Sequence, residues 1–259
     1  MSSSQCQCSS ECKRPLVSGI PFCRYHLLKG CPHKSPLSGS EPKYDPNIYN
    51  GNKSIQHSHN CFAYAFGVID DKQTKKCAST PDCDVPFHSP GVESNLKRIS
   101  GKDGKTCSDV VGRSLADSKA GYRIGFTGQC RKGSSKIAVV VDPKRDFHYY
   151  RQDSNGLWSH KPGATAVTNK DSMGNPIYDP SLAGRYYPST KKEDNNELNY
   201  TGFCGYYCIP RDKKINIAAG GKRKTKFGSA ASRAQKATRR KTRSAQKTRR
   251  HPAQSSRTR

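Results

Sequence analysis

One cysteine and two distant histidines are the residues whose types and spacing favour nucleophilic chemistry. Cys61 opens the short apolar run Asn-Cys-Phe-Ala-Tyr-Ala-Phe at 60–66. A thiol at a helix N-terminus lies near unpaired N–H groups and the positive end of the helix dipole, and both favour the reactive thiolate. His148 and His160 lie in two later strand-like runs. We therefore predict Cys61 as nucleophile, His148 as general base and then acid, and His160 as the residue that orients His148.

The elements that must position these side chains follow from local patterns. Apolar periodicity predicts helices at 61–69 and at 109–119, the second capped by Ser108. Runs rich in β-branched and aromatic residues predict strands at 122–126, 137–141, 147–151, 157–161 and 203–209. The Asn-Gly pair at 155–156 predicts a hairpin, and alternation then places His148 and Tyr150 on one sheet face with Phe147 and Tyr149 on the other. Short connections favour antiparallel pairing and an α+β fold.

Other residues compete for these roles. His57 and His59 are alternative bases, although a base so close upstream of Cys61 must fold back sharply to reach it. The alternative orienting residues are Asp146, Asp153, Asn169 and Asp171. The alternative to catalysis as a whole is a buried structural cysteine, because free cysteine is among the most buried residue types.

Three short motifs carry a resemblance to a known superfamily. They are Asn-Cys-Phe-Ala-Tyr-Ala at 60–65, Asp-Phe-His-Tyr-Tyr-Arg-Gln-Asp at 146–153 and Gly-Leu-Trp-Ser-His-Lys-Pro-Gly at 156–163, with Ser-Pro-Gly at 89–91 between them. Together they resemble papain-like cysteine peptidases and amidases, and among these the NlpC-type cell-wall hydrolases. The resemblance implies a papain-like core in which a Cys-bearing helix packs on an antiparallel sheet. The usual Asp-Cys-Ser-Gly around the nucleophile is missing, which leaves the substrate class open.

The N-terminal residues are rich in metal-ligand types. Seven cysteines and histidines occur within 28 residues: Cys6, Cys8, Cys12, Cys23, His26, Cys31 and His33. Zinc takes four such ligands in a tetrahedron, and so small a module needs a metal to fold. We predict a structural Zn²⁺ site made by Cys8, Cys12, Cys23 and His26, with Cys6 or Cys31 as substitutes. The Phe-Cys-x-x-His element resembles zinc knuckles in proteins of large DNA viruses.

Charge is concentrated at the C-terminus. The chain of 259 residues has a formal net charge of +26, and from Gly220 onward it has 15 Lys and Arg and no Asp or Glu. A segment with so few large apolar residues cannot offset its ordering entropy, which predicts disorder. We expect residues 222–259 to bind nucleic acid nonspecifically through phosphates. A nuclear-import signal and a merely solvated tail are the alternatives.

The cellular location of the protein is predicted from its apolar runs, its first ten residues and its cysteines. No apolar run approaches the about 20 residues that a membrane span needs. Residues 1–10 are polar and include no secretory signal, which predicts an intracellular protein. Without a secretory signal a disulfide framework is not expected, and the five cysteines within the first 31 residues favour metal binding. Whether Cys77, Cys83, Cys107 and Cys130 pair stays open. A viral origin, implied by the resemblance of the knuckle and tail, would place the protein in the virion, host cytoplasm or nucleus.

The whole chain divides into four parts in this interpretation: a zinc knuckle at 1–34, an extended and exposed linker at 35–49, a papain-like α+β domain at 50–210 and a disordered basic tail at 211–259. The predicted function is hydrolysis of a peptide or amide substrate through a thioacyl intermediate on Cys61. The alternative is a non-enzymatic virion or nucleic-acid-associated protein that retains the fold. The sequence leaves the oligomeric state open.

Overall fold

The fold is a mixed α+β structure, which confirms the predicted class at that level. A computed structural model of the chain describes residues 14–15, 23–29, 34–99, 105–189 and 196–211. These residues belong to one compact unit that ends at Gly220. The predicted zinc ligands Cys8 and Cys12, the alternative ligands Cys6 and Cys31, and the basic tail from residue 212 lie outside the described residues.

The helices of the described residues are short and come mostly before the sheet. They are α1 (Arg24–Lys29), α2 (Asn47–Asn50), α3 (Lys53–Ser58), α4 (Cys61–Phe66), α5 (Asp71–Ala78) and α6 (Cys107–Ser118), with 3-10 turns at Pro81–Cys83 and Val92–Ser94. None of the helices in these ranges is long and apolar enough to cross a membrane.

The strands form one main sheet. They are β1 (Tyr122–Ile124), β2 (Ser134–Asp142), β3 (Asp146–Gln152), β4 (Trp158–Ser159), β5 (Tyr186–Tyr187), β6 (Leu198–Asn199) and β7 (Gly202–Pro210). Five of them pair antiparallel in the order β1-β7-β2-β3-β4, and β5 pairs with β6 separately. The last strand of the described residues, β7, therefore lies inside the sheet, between β1 and β2.

The central strand β2 has the most apolar sequence because both its faces are covered. Residues 135–142 are all buried, as expected for a continuous run of β-branched residues. Opposite β2, the register of β7 shifts between Val139 and Val140, which marks a β-bulge around Cys204. Gly205 follows with a φ of +112°, a conformation that side chains rarely adopt.

Helices cover one face of the sheet, which we call the helix-covered face. Its core includes Cys61 and Phe62 from α4, Val110 from α6, and Val139 and Tyr149 from the sheet. Phe62 and Tyr149 pack edge to face with their ring centroids 5.3 Å apart.

Connecting segments cover the opposite face, which we call the loop-covered face. Its core includes Ala138, Tyr150, Trp158 and Tyr206 from the sheet, packed against Ile177 and other residues of the 169–200 segment. The segment before α2 covers the rest of this face, because the Ser35 carbonyl accepts a hydrogen bond from Gln152 Nε2 at 2.7 Å. The predicted linker is thus extended but partly buried, not exposed.

Among the described residues, three disulfides join different parts of the chain. Cys107–Cys204 links α6 to β7 on the helix-covered face, and Cys130–Cys208 links the β1–β2 loop to β7. Cys77–Cys83 closes the turn after α5. The first two bridges span 97 and 78 residues, so each removes much entropy from the unfolded chain.

Local details differ from the sequence-based expectations for identifiable reasons. The helix predicted at 61–69 ends at Phe66 because Gly67 takes the left-handed conformation. The second helix begins two residues earlier than expected, because the cap is Thr106, whose hydroxyl accepts from the Asp109 N–H. The strand predicted at 157–161 shortens to Trp158–Ser159, and His160 continues it only as an isolated bridge to Thr168.

Candidate functional site

Cys61 opens helix α4, but its sulfur lies in the protein core. The Asn60 side chain caps the helix by accepting from the Ala63 N–H at 3.2 Å. The whole Cys61 residue is 4% exposed, and its thiol approaches the Phe147 carbonyl at 3.8 Å. Burial raises the pKa of this thiol well above its usual value, and the nearby Asp146 carboxylate acts in the same direction. The desolvation of the sulfur outweighs the helix terminus, so the neutral thiol is favoured.

The two histidines named by the sequence do meet. His148 Nε2 and His160 Nδ1 are 2.7 Å apart, and His160 Nε2 lies 2.8 Å from the Lys170 carbonyl. A carbonyl only accepts, so the proton of neutral His160 resides on Nε2 and its Nδ1 accepts from His148. Burial lowers the pKa of His148 far below its usual range and that of His160 to about 4. Both rings are therefore neutral near pH 7.

The thiol and the imidazoles occupy opposite sides of the sheet. Cys61 packs with Tyr149 in the helix-covered core, whereas the His148 ring contacts Tyr150 and Tyr200 on the loop-covered face. Within the described ranges, neither imidazole shares a hydrogen bond or ion pair with Cys61. A thiol catalyst needs its base within hydrogen-bond reach, at about 3 Å. The structure brings the two predicted imidazoles together and leaves the predicted nucleophile out.

The alternative bases are occupied or distant. His59 Nε2 accepts from the Asp70 N–H at 2.8 Å, and its Nδ1 lies 3.1 Å from the Ile55 carbonyl. Burial lowers the pKa of this ring to about 4, so His59 is a neutral bridge between backbone groups. His57 is exposed on α3.

The alternative orienting residues also hold other parts of the structure. Asp153 forms an ion pair with Arg151 at 2.9 Å. Asp171 accepts from the N–H groups of Met173, Asn175 and Gly184, and so shapes the loop beneath β4. Asp146 accepts from the Tyr200 hydroxyl at 2.7 Å.

Buried cations near these residues stabilise the fold. Arg151 stacks on the Tyr64 ring at 4.0 Å and donates to its hydroxyl at 2.7 Å. Tyr64 in turn bonds Ser159 at 2.6 Å, so α4, β3 and β4 share one polar network. The Lys161 ammonium contacts the carbonyls of Gln56, Gly163 and Thr165. Each of these side chains already has its hydrogen-bond partners within the protein. The network therefore holds the helix against the sheet and leaves no position for a ligand.

The predicted zinc site is wrong. Of its four ligands only Cys23 and His26 fall in the described residues, where the sulfur lies 3.3 Å from His26 Nδ1. Across all described residues, no group of three or more His, Cys, Asp or Glu side chains could hold a metal ion. Six other cysteines of the described ranges, none of them a predicted ligand, form disulfides. Sequence reasoning missed the partners Cys204 and Cys208, which lie four residues apart in a strand that reads as purely apolar.

The described residues form a disulfide-linked α+β domain in which the thiol is buried and both imidazoles of the histidine pair are neutral. This is the class that the fold and the site define.

Comparison with known proteins agrees with that class. The chain is 34% identical over 144 residues to "Insoluble matrix shell protein 1" of Ruditapes philippinarum, and the match covers 55% of this chain and 81% of that protein. The chain therefore belongs to the family of this shell matrix protein. No family model matches the chain. No solved structure matches it either.

These findings correct the functional predictions. The resemblance to papain-like peptidases, NlpC-type hydrolases and proteins of large DNA viruses was wrong, since the relative is a shell matrix protein. The predicted cysteine hydrolase acting through Cys61 was wrong for the same reason. The motifs that suggested it are a capped helix and a hairpin that pack together without forming a nucleophile and base. The intracellular, nuclear or virion location was also wrong, because three disulfides indicate an oxidising compartment.

Proposed function

We propose that this protein is a structural, non-enzymatic component of an insoluble extracellular matrix. The observation that carries the proposal is the 34% identity that spans 81% of Insoluble matrix shell protein 1. The matched stretch of 144 residues is 55% of this chain and most of that protein.

The covalent framework supports a durable extracellular role. The two long-range disulfides tie α6 and the β1–β2 loop to the same strand, β7. By the loop-closure argument, each such bridge contributes about 4–5 kcal/mol to stability. A protein that must persist outside the cell, without repair or replacement, gains most from bridges of this kind.

The basic tail supplies the interaction in this proposal. Residues 222–259 contain 15 Lys and Arg and no acidic residue, so they attract polyanions of any kind. In an extracellular matrix the available polyanions are acidic polysaccharides and acidic proteins. Nucleic acid, the partner expected from the sequence, is the competing polyanion, and a competition assay at moderate salt compares the two directly.

The experiment is a sequential extraction of the tissue that expresses the protein. Water, high salt and denaturant are applied in turn, followed by denaturant with reductant, and peptides of the chain are quantified in each fraction. We expect the protein mainly in the residue that resists water and salt. Recovery of the protein in a cytosolic or nuclear fraction would contradict the proposal.

Differential alkylation during the same extraction tests the redox state. Free thiols are blocked with iodoacetamide in denaturant at alkaline pH before reduction, and the newly released thiols are labelled with a heavy reagent afterwards. Six cysteines should carry the heavy label: Cys77, Cys83, Cys107, Cys130, Cys204 and Cys208. Cys61, which is in no disulfide, should carry the light label and serves as the internal control.

A further inference from the structure

Two asparagines of the chain lie in the sequence pattern that accepts N-linked oligosaccharides, Asn-x-Ser/Thr with x other than proline. They are Asn52, in the run Asn-Lys-Ser at 52–54, and Asn199, in the run Asn-Tyr-Thr at 199–201. So short a pattern also arises by chance, and it leads to a stable product only where the folded protein has room for an oligosaccharide. The environment of each asparagine therefore decides its value.

The side-chain nitrogens of these two asparagines hold no other part of the protein. Asn52 and Asn199 are both exposed, and within the described ranges neither Nδ2 atom donates a hydrogen bond. Asn60, by contrast, is buried, and its Nδ2 donates to the His88 carbonyl at 2.9 Å. An oligosaccharide on Nδ2 of Asn52 or Asn199 would thus extend into solvent without breaking a contact.

At Asn52 the helix cap is compatible with modification. Its Oδ1 atom accepts from the N–H groups of Ser54 and Ile55, at 2.8 and 3.3 Å, and so caps α3. N-glycosylation substitutes the nitrogen of the side-chain amide and keeps its carbonyl. The cap and an oligosaccharide can therefore exist on the same side chain.

At Asn199 an exposed aromatic ring lies beside the acceptor. Asn199 pairs with Tyr186 across β5 and β6, while the next pair, Tyr187 and Leu198, packs against the loop-covered core. Side chains directly opposite each other in an antiparallel pair share a face, so Asn199 and Tyr186 both face outward. Tyr186 is 50% exposed. The negative face of its ring attracts the weakly positive C–H groups of a sugar on Asn199.

From these observations we propose that Asn52 and Asn199 carry N-linked oligosaccharides, and that the Tyr186 ring packs on the first sugar at Asn199. The inference rests on the proposed extracellular role, because secreted proteins receive this modification. In the reaction, Nδ2 forms a bond to the anomeric carbon of an oligosaccharide carried on a lipid pyrophosphate. The bond from that carbon to the pyrophosphate oxygen breaks, and the pyrophosphate takes the proton that the nitrogen loses.

Protein extracted from the insoluble matrix gives the direct test. Its peptides are treated with peptide N-glycosidase in heavy-oxygen water, which converts a glycosylated Asn to Asp with a heavy-oxygen label. We expect the label at Asn52 and Asn199, and none at Asn47, an exposed asparagine outside the pattern. An unlabelled Asn52 or Asn199 in the matrix protein overturns the inference for that residue.

Matched variants remove the acceptor pattern and leave each asparagine, with its cap or strand pairing, in place. The full chain is expressed in animal cells with an added secretory leader. Ser54→Ala and Thr201→Ala should each remove one oligosaccharide and increase gel mobility, whereas Ser54→Thr and Thr201→Ser keep the pattern and should keep the original mobility. The same mobility in all variants and in the unmodified sequence would overturn the inference.

A thermodynamic cycle tests the contact with Tyr186. Tyr186→Ala should lower the melting temperature by about 2 °C more in the glycosylated chain than in the Thr201→Ala background, which lacks the oligosaccharide at Asn199. Tyr186→Phe keeps the ring and should show no such difference. Equal shifts for Tyr186→Ala in both backgrounds would mean that the ring does not touch the sugar.

The two proposals fail in different ways. Unlabelled asparagines in a protein that still fractionates with the insoluble matrix remove the oligosaccharide inference alone. A protein found inside the cells of its own tissue removes the matrix role, whatever the secreted variants show.

Discussion

The helix-covered and loop-covered faces of one sheet differ in chemistry although they share the same strands. The helix-covered core is made largely of aliphatic and aromatic side chains such as Phe62, Val139 and Tyr149. The loop-covered face also buries Lys136, His148 and Gln152 from alternate positions of the same strands. Helices satisfy most of their own backbone groups, whereas connecting segments leave carbonyls unpaired.

The polar residues of the loop-covered face form hydrogen bonds with these unpaired carbonyls. Lys136 Nζ donates to the Phe126 carbonyl at 2.9 Å, Gln152 donates to the Ser35 carbonyl, and His160 donates to that of Lys170. Each of these side chains thus donates to a carbonyl that no helix or β-sheet hydrogen bond would pair. Buried polar groups that look catalytic in the sequence are, on this face, the means by which loops are held to a sheet.

Removal of the disulfide on the helix-covered face should have the largest effect on stability. Cys107→Ser with Cys204→Ser opens a 97-residue loop, and the expected loss is about 4–5 kcal/mol of unfolding free energy. The matched control, Cys77→Ser with Cys83→Ser, opens a short loop and should cost about 2 kcal/mol. Urea denaturation measures both. Equal losses would show that loop length is not what these bridges contribute.

Truncation of a ring should distinguish the two cores. Phe62→Ala empties a fully buried site in the helix-covered core, which we expect to cost about 3–5 kcal/mol. Phe203→Ala on the loop-covered face removes a partly exposed ring and should cost roughly half as much. Both are read from denaturant midpoints at constant slope. A larger loss for Phe203→Ala would mean that the loop-covered face is the better packed of the two.

The histidine pair should make stability depend on pH. The folded pKa of His160 is about 4, below the about 6.5 of an unfolded histidine, so the unfolded state binds more protons between these values. Its contribution is complete above about pH 6.5 and is lost as the pH falls. For His160 alone the expected loss between pH 7 and pH 5 is about 2 kcal/mol.

A double variant isolates this pH effect. His148→Phe with His160→Phe removes both partners together and should flatten the dependence relative to the unmodified protein. Burial raises the pKa of Asp146, which acts in the opposite direction, but this carboxyl is present in both proteins and cancels. Unchanged slopes between pH 7 and pH 5 would show that the two rings titrate normally.

The smallest expected effect is on the reactivity of Cys61. Iodoacetamide should leave this thiol unmodified in the folded protein at pH 6, because the residue is buried and its pKa is raised. The same reagent should modify it in denaturant at alkaline pH. Mass spectrometry of the peptide that contains Cys61 gives both results. Rapid reaction in the folded state would place the thiol outside the core and break the contrast between the two faces.

Local sequence patterns predicted most individual elements. The β-branched run at 137–141 lies inside β2, the Asn-Gly pair closes the β3–β4 hairpin, and Asn60 caps α4. Alternation along β3 also placed His148 and Tyr149 on opposite faces. Such features depend on neighbours within a few residues, so the sequence carries the needed information directly.

Contacts between residues that are far apart in the chain could not be predicted from the sequence. The partners of Cys107 and Cys130 are 97 and 78 residues away, and spacing offers no way to choose between pairings. The pairing of β7 with β1, which sets Arg123 opposite Tyr207, could not be predicted either. Neither residue is unusual in its own segment.

By itself the sequence determined the strands, the capped helix under Cys61 and the highly basic tail, because propensity, capping and charge are local properties. Only the tertiary structure decided that the thiol faces one side of the sheet and the imidazoles the other. Helix α4 packs against one face while loops bring His160 to the opposite one, and the reactivity of a sulfur depends on which side of that layer it occupies.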